Sequence, residues 1–516
     1  MLYQSTRGGA KKFTAAEIIV RGMSEDGGLF VPESFPALTE NILSDLASKT
    51  YKDRAARILG MFLDDFSAEE LDEYAAEAYC EPGFDDPSVA PLYDLDGRTS
   101  FLELWHGPTC AFKDMALGIL PRLLTASLRK TNEAREVCIL VATSGDTGKA
   151  ALQGFRDVPG TKIMVFYPRD GVSEVQKLQM TTQNGDNVNV VAVEGNFDDA
   201  QTGVKAIFAD ESLRRELSDG GVFLSSANSI NWGRLVPQIA YYVSAYCDLA
   251  SSGAIKPGER INFCVPTGNF GNILAAYYAE RMGLPVGRLI CASNRNDVLA
   301  QFIGTGVYDR NRPFYTTASP SMDIVVSSNL ERLLFETSGK DGDAVAAYMK
   351  ALSGSGRYAV SGAIRDEIRR VFSGGFCSEE DTMRTIADVY YEYKYLIDTH
   401  TAVGYKVLRD YREDTGDDAV SVVVATASPF KFCESVLEAL GRRGGAGATA
   451  CADDTAADDS AAAGTAVALL DKLAGLTGLE VPVPLAGLHG KERRFLRTVP
   501  PDGMKEAVRE FVFHNR

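Results

Sequence analysis

Hydrophobic and polar positions follow three textures along the 516-residue chain. From about Lys11 to Tyr79, apolar residues recur at helical spacing in Phe13-Thr-Ala-Ala-Glu-Ile-Ile-Val, Glu40-Asn-Ile-Leu-Ser-Asp-Leu and Ala68-Glu-Glu-Leu-Asp-Glu-Tyr, which predicts amphipathic helices. Asp26-Gly-Gly-Leu-Phe-Val-Pro interrupts them with a turn or short strand. Between about Tyr93 and Ala300 the pattern becomes short β-branched runs ending in glycine-rich turns: Val137-Cys-Ile-Leu-Val-Ala, Lys162-Ile-Met-Val-Phe-Tyr, Asn187-Val-Asn-Val-Val-Ala-Val, Ile261-Asn-Phe-Cys-Val and Arg288-Leu-Ile-Cys-Ala. Strands alternating with helices predict a mostly parallel sheet covered on both faces, which binds ligands where strands end and helices begin. From about Asp341 to Tyr395 the pattern is helical again, and Ala419-Val-Ser-Val-Val-Val-Ala-Thr supplies one more strand. Gly444 to Ala466 is alanine, glycine and aspartate with almost no large apolar residue, and reads as a mobile surface insertion.

Length adds a constraint, because a single core stops growing at roughly 250 to 300 residues, so two or more domains around a cleft are expected. Hydrophobic residues at 45% and charged residues at 24% are ordinary for a folded protein, and no apolar run reaches the roughly 20 residues that cross a bilayer. The opening residues lack the pattern of a secretory signal, so a cytoplasmic location without membrane contact is expected. Nine scattered cysteines signal neither a disulfide framework nor a zinc site. The net charge of −17 argues against a nucleic-acid surface. It also requires that any anionic ligand be gripped by local donors against the global field.

Two glycine-rich turns could provide them. Ala142-Thr-Ser-Gly-Asp-Thr-Gly-Lys follows one strand-like run and Cys264-Val-Pro-Thr-Gly-Asn-Phe-Gly-Asn follows another, each leading into a helix whose first N–H groups are unpaired. Neither has the spacing of a nucleotide-binding phosphate loop. Leu224-Ser-Ser-Ala-Asn-Ser-Ile-Asn-Trp-Gly-Arg reads either as helix capping beside a solvated arginine, or as amide, hydroxyl and guanidinium donors for a phosphate or carboxylate. Lys113, in His106-Gly-Pro-Thr-Cys-Ala-Phe-Lys-Asp, is by its chemistry alone either a lysine that snorkels to water or a desolvated nucleophile.

Taken together and in order, these segments resemble the threonine synthase family, in the branch with an N-terminal helical domain. His106-Gly-Pro-Thr-Cys-Ala-Phe-Lys-Asp, Ser144-Gly-Asp-Thr-Gly, Ser226-Ala-Asn-Ser-Ile-Asn-Trp-Gly-Arg, Pro266-Thr-Gly-Asn-Phe-Gly-Asn and Ala425-Thr-Ala-Ser-Pro-Phe-Lys-Phe carry the resemblance, as do Ser5-Thr-Arg-Gly and Asp26-Gly-Gly-Leu-Phe-Val-Pro. It implies an α/β fold of pyridoxal-phosphate (PLP) type II, like the tryptophan-synthase β-subunit, with two mostly parallel-sheet subdomains around a cleft. Residues 1–95 would form the helical domain and 96–516 the catalytic region, with the insertion near 444–466.

The resemblance further implies a lyase that converts O-phospho-L-homoserine and water to L-threonine and phosphate, as a monomer or homodimer. Lys113 would carry PLP as a Schiff base, Gly268, Asn269, Phe270, Gly271 and Asn272 would hold its phosphate, and Thr426 would bond its pyridine nitrogen. Ser144, Gly145, Asp146 and Thr147 would receive the substrate carboxylate, and Asn228, Ser229 and Arg234 its phosphate. No metal is implied. Ser428 departs from the family, which usually has histidine there, and a phospho-lyase releasing 2-oxobutyrate or a non-catalytic PLP-binding relative are the alternatives. His400-Thr-Ala-Val-Gly reads equally as a helix cap and as part of the site.

Overall fold

The first helices begin where a hydroxyl precedes an apolar face. Thr14 and Ser67 close capping boxes with Glu17 and Glu70 at the starts of helices Ala15–Arg21 and Ala68–Ala78. Thr39 caps helix Glu40–Ala47, and Tyr51–Phe62 completes this N-terminal group. The glycine-broken stretch after Asp26 becomes a short strand, Phe30–Pro32, paired antiparallel with Tyr3–Ser5. The structure, a computed structural model, describes residues 1–169, 172–444 and 459–514.

The N-terminal helices rest on the site-bearing half of the molecule. Trp232 is fully buried, with the ring of Tyr3 at 5.3 Å and that of Phe62 at 5.7 Å. Buried Arg54 crosses the same seam to the Ser244 hydroxyl (2.7 Å) and the Asp248 carboxylate (2.6 Å). Trp232 opens the short helix Trp232–Leu235, so the apolar contact that seats the N-terminal group also fixes the element that bears Arg234.

Two large sheets and one small antiparallel pair, Val307–Asp309 with Arg357–Ala359, follow the N-terminal helices. One large sheet has five parallel strands, in the order Thr498–Val499, Val188–Val193, Thr161–Pro168, Glu136–Ala142 and Val222–Ser225. The other has six, in the order Phe372–Phe376, Val286–Ser293, Ile261–Pro266, Ser421–Ala425, Thr99–Glu103 and Leu92–Asp94, with only the last pair antiparallel. Strand Thr161–Pro168 is buried at all eight positions and Ile261–Pro266 at all six, as expected for strands covered by helices on both faces.

The five strand-like runs before Ala300 and the run before Thr426 all become strands, within one or two residues of their expected ends. Two departures lie outside them. The segment 341–395 contains the strands Arg357–Ala359 and Phe372–Phe376 among its helices. Phe-Ser-Gly-Gly-Phe carries little β signal, yet it fits the sheet edge because a Cβ on Gly374 would stand 2.8 Å from the Ala300 backbone. Of the expected mobile insertion, residues 445–458 lie outside the described residues. From 459 onward the expectation fails, for helix Asp459–Thr477 begins there and buries Ala466 completely. Among the described residues no helix is long and apolar enough to cross a membrane.

Candidate active site

Parallel pairing sends the chain out of neighbouring strands at one edge of the six-stranded sheet. Thr99–Glu103 leads toward Lys113, Ser421–Ala425 leads into Thr426, and Ile261–Pro266 leads into the turn at Gly268. The first two segments are tied directly: Phe112 N–H donates to the Thr426 carbonyl at 2.8 Å, and Ala111 bridges Ala427. Lys113 precedes helix Asp114–Leu117 and is buried, only 6% exposed. It does not snorkel. Its Nζ lies 4.9 Å from the centre of the Phe112 ring and donates to Asp146 Oδ2 (3.0 Å) and Ser321 Oγ (3.1 Å). Burial lowers the proton affinity of this amine, and nearby Lys431 and Arg234 lower it further, against the pull of Asp146. The adjacent Asp114 does not touch it, because its carboxylate accepts from Thr109 N–H (2.8 Å) and Oγ1 (2.6 Å) and closes the turn before the helix.

Asp146 is the second centre. Gly145, at φ +132°, turns the chain from strand Glu136–Ala142 into helix Asp146–Phe155, and a Cβ there would meet Gln176 at 2.5 Å. The buried Asp146 carboxylate is saturated: Oδ2 faces Lys113 and Ser321, while Oδ1 accepts from Gln176 Nε2 (2.7 Å) and pairs with Lys431 Nζ (2.8 Å). Burial alone would raise its pKa, but Lys113 and Lys431 outweigh burial and hold it well below the usual carboxylate range. Ser144 and Thr147, in the same turn, are half-buried at the cleft.

The turn at 267–272 packs against the segment 319–332. A Cβ on Gly268 would stand 2.5 Å from the Ser321 carbonyl oxygen, and the Gly268 carbonyl accepts from Ser327 Oγ at 3.1 Å. Asn329 holds the Asn269 carbonyl through its N–H (3.1 Å) and Nδ2 (3.0 Å). Phe270 adopts φ +62° and thereby begins helix Gly271–Met282, while its ring packs 5.6 Å from that of Phe372. Asn272 accepts from Tyr241 Oη (2.5 Å) and Tyr242 Oη (2.6 Å), leaving its buried Nδ2 without a partner among the described residues. That orphaned donor, the first amides of helix Gly271–Met282 and the close-packed Gly268 suit a phosphate. Thr426 is buried and offers a neutral hydroxyl beside the Lys113 segment, which suits a ring nitrogen.

Arg234 is buried and donates to the Ala227 carbonyl (2.8 Å) and Thr147 Oγ1 (3.4 Å), joining the Asn/Ser segment to the Asp146 turn. Among the described residues no carboxylate pairs with it, and burial pulls its guanidinium down to about 10. Ser229 lies beside Gly271, whose Cβ would be 3.5 Å from it, and Asn228 is half-buried in the same turn. The fourteen residues expected at the site therefore fall on one set of converging turns.

Three further residues join them that motif reading did not single out: Ser321, Gln176 and Lys431. Lys431 carries no signal as a lone lysine between two phenylalanines, although it closes the Ser428-Pro-Phe-Lys motif. His400 is not the helix cap; Asp398 fills that place. The imidazole is buried, with Nδ1 against Asp398 Oδ1 (2.9 Å) and Nε2 accepting from Ser321 N–H (3.2 Å), which holds Ser321 over Lys113. Ser428 turns its hydroxyl toward its own backbone, accepting from Phe430 N–H at 3.3 Å.

Comparison with known proteins decides the family. Residues 2–79 match the family described as threonine synthase N terminus, 94–427 that of pyridoxal-phosphate dependent enzymes, and 401–512 that of threonine synthase, C-terminal. Threonine synthase of Pseudomonas aeruginosa is 42% identical over 440 residues, covering 85% of this chain and 90% of that protein. The chain belongs to the threonine synthase family. The crystal structure of PLP-bound threonine synthase from Brucella melitensis superposes with a TM-score of 0.85 at 36% identity, over 100% of this chain and 99% of that one. The yeast threonine synthase structure does so with 0.84 at 30% identity, over 99% and 98%. Human threonine synthase-like 1 is 40% identical over 82% of this chain, which spans 58% of that longer protein. This family member is accordingly a PLP-dependent lyase with a fold-type II catalytic region.

Proposed function

We propose that the protein converts O-phospho-L-homoserine and water to L-threonine and phosphate, with PLP carried on Lys113, in the cytoplasm as a monomer or homodimer. We also divide it at residue 95, the N-terminal unit serving as a buttress for the catalytic region 96–516. The observation that carries the reading is the Lys113 amine, buried between an ionised carboxylate and a hydroxyl where the two glycine-rich turns meet.

Gly268, Asn269, Phe270, Gly271 and Asn272 hold the cofactor phosphate in this reading, and Thr426 the pyridine nitrogen. Bound there, PLP supplies an electron sink for charge developing on the substrate carbons. The residues of the chain do the rest. The turn Ser144, Gly145, Asp146 and Thr147 receives the substrate carboxylate on backbone N–H groups, Asp146 being occupied with lysines. Asn228, Ser229 and Arg234 grip the substrate phosphate, an anion that a chain of net charge −17 must attract with local donors. Lys113, once free, carries protons between adjacent substrate carbons, a task suited to an amine of lowered proton affinity. Burial of the cluster keeps bulk water from these groups until water is added.

The test is to incubate the purified protein with O-phospho-L-homoserine and measure phosphate, threonine and 2-oxobutyrate together. Phosphate matched by threonine is expected. Phosphate matched by 2-oxobutyrate would give the phospho-lyase reading, whose foothold is Ser428 in place of the family's histidine, and no phosphate at all would sink both.

A further inference from the structure

Lys431 is the most deeply buried ammonium in this site, with 0% exposure, and it lies on neither of the glycine turns. Its Nζ donates to the Thr109 carbonyl (2.8 Å), inside the segment that carries Lys113, and pairs with Asp146 Oδ1 (2.8 Å). The two oxygens of one carboxylate therefore serve two lysines, Oδ1 for Lys431 and Oδ2 for Lys113. Lys113 and Lys431 thus share the Asp146 carboxylate in a place without solvent, and Arg234 adds a further cation from its own helix. His400 reaches the cluster from helix Thr399–Thr415, its Nδ1 against Asp398. Asp114 faces Lys431 from the Lys113 side, and Lys149 faces it from the first turn of helix Asp146–Phe155.

This arrangement has a consequence for the covalent role of Lys113. Joining its nitrogen to an aldehyde carbon forms a C=N bond and releases one water, and the ammonium must first give a proton to solvent. Asp146 alone would resist that loss, because a buried carboxylate keeps the ammonium of its partner. After the loss, Asp146 would remain as a buried charge without a counter-ion. Lys431 removes both obstacles, since it neutralises the carboxylate whether or not Lys113 is charged.

We propose that Lys431 is a positioning residue that holds Asp146 as a permanent ion pair, so that Lys113 can shed its proton and join the cofactor without stranding a buried charge. The inference rests on the reading of Lys113 as the cofactor-bearing lysine.

The experiment uses full-length protein stripped of cofactor and follows capture of pyridoxal 5′-phosphate, by its visible absorbance, as a function of pH. Lys431→Met is expected to move the midpoint of the capture profile up by about one pH unit and to slow capture about tenfold at pH 7, as for removal of a neighbouring like charge. Lys431→Arg restores the wild-type profile. A folded Lys431→Met protein with the wild-type midpoint overturns the inference. If that variant does not fold, Lys431→Gln, which keeps a donor to Asp146 without its charge, is read in the same way. Lys113→Ala separates the two readings: if it captures the cofactor as well as wild type, the Lys113 assignment itself fails. If Lys113→Ala is blind to the cofactor while every Lys431 variant is wild-type, only the role of Lys431 falls.

Discussion

Arg234 is a buried cation whose hydrogen bonds go to a carbonyl and a hydroxyl rather than to a carboxylate, which leaves its charge uncancelled within the cleft. Arg234→Ala is therefore expected to raise the KM for O-phospho-L-homoserine about 10- to 100-fold, the range for loss of a hydrogen bond to a charged group. Affinity for pyridoxal phosphate, titrated separately, should change little, and an equal loss of both would contradict the assignment. At this scale the sequence was readable where a residue type is rare in its surroundings: one lysine beside an aromatic ring, one arginine among asparagines and serines. It was unreadable where function depends on a distant partner. Lys431 gains its meaning from Thr109, 322 positions earlier, and Ser321 gains its meaning from Lys113, 208 positions away.

Among elements, the segment 319–332 does more than its sequence advertises. Arg332 is fully buried and forks to the Phe30 carbonyl (3.0 Å), the Ile230 carbonyl (2.7 Å) and Asn329 Oδ1 (2.5 Å). It thus ties the N-terminal strand, the Asn/Ser segment and the partner of Asn269 to a single guanidinium. Arg332→Lys keeps the charge but not the planar fork. It is expected to destabilise the protein by about 2–4 kcal/mol in urea unfolding, because buried acceptors lose their donor. A change below about 0.5 kcal/mol would show the fork to be dispensable. Strands ending in glycine turns were legible because β-branched runs and turn residues point the same way. Phe372–Phe376 was not, because its two glycines are dictated by close approach, of Gly374 to the Ala300 backbone and of Gly375 to the Val407 side chain, rather than by local preference. The helix from Asp459 was missed because its first half, rich in alanine and other small residues, has no apolar stripe to reveal it.

For the whole molecule, His106 adds an ionisable link to the polar contacts that already join the N-terminal part to the rest. Its Nδ1 lies 2.6 Å from Asp85, beyond the N-terminal helices, and its Nε2 lies 2.9 Å from Glu103, at the end of a central strand. Tyr395 also binds Glu103. Burial alone would lower the pKa of this imidazole, but its hydrogen bonds to the Glu103 and Asp85 carboxylates outweigh burial and raise the pKa above 6.5. A raised folded-state pKa contributes stability that is complete below the unfolded value near 6.5 and is lost as pH rises through the folded one. Urea unfolding followed from pH 6 to 9 should therefore show a decline in wild type that His106→Gln lacks. Parallel declines in the two proteins would remove His106 as its cause. The acidic net charge, read from composition, located nothing by itself. It gains content only beside the buried Lys113, Lys431 and Arg234, whose cations converge where the proposed anionic ligands would sit.

The five-stranded sheet is closed by elements that follow its other strands far downstream in the sequence. Thr498–Val499 pairs with Val188–Val193, and Met504, Val508, Phe511 and Val512 cover the hydrophobic cluster on that face. During synthesis on the ribosome, Val188–Val193 must therefore wait with an open edge and a bare apolar face while some three hundred later residues are added. The half of the molecule that carries the Asp146 turn is thus begun early and completed only once residues 498–514 emerge, and it is exposed to mispairing and chaperone capture in the interval.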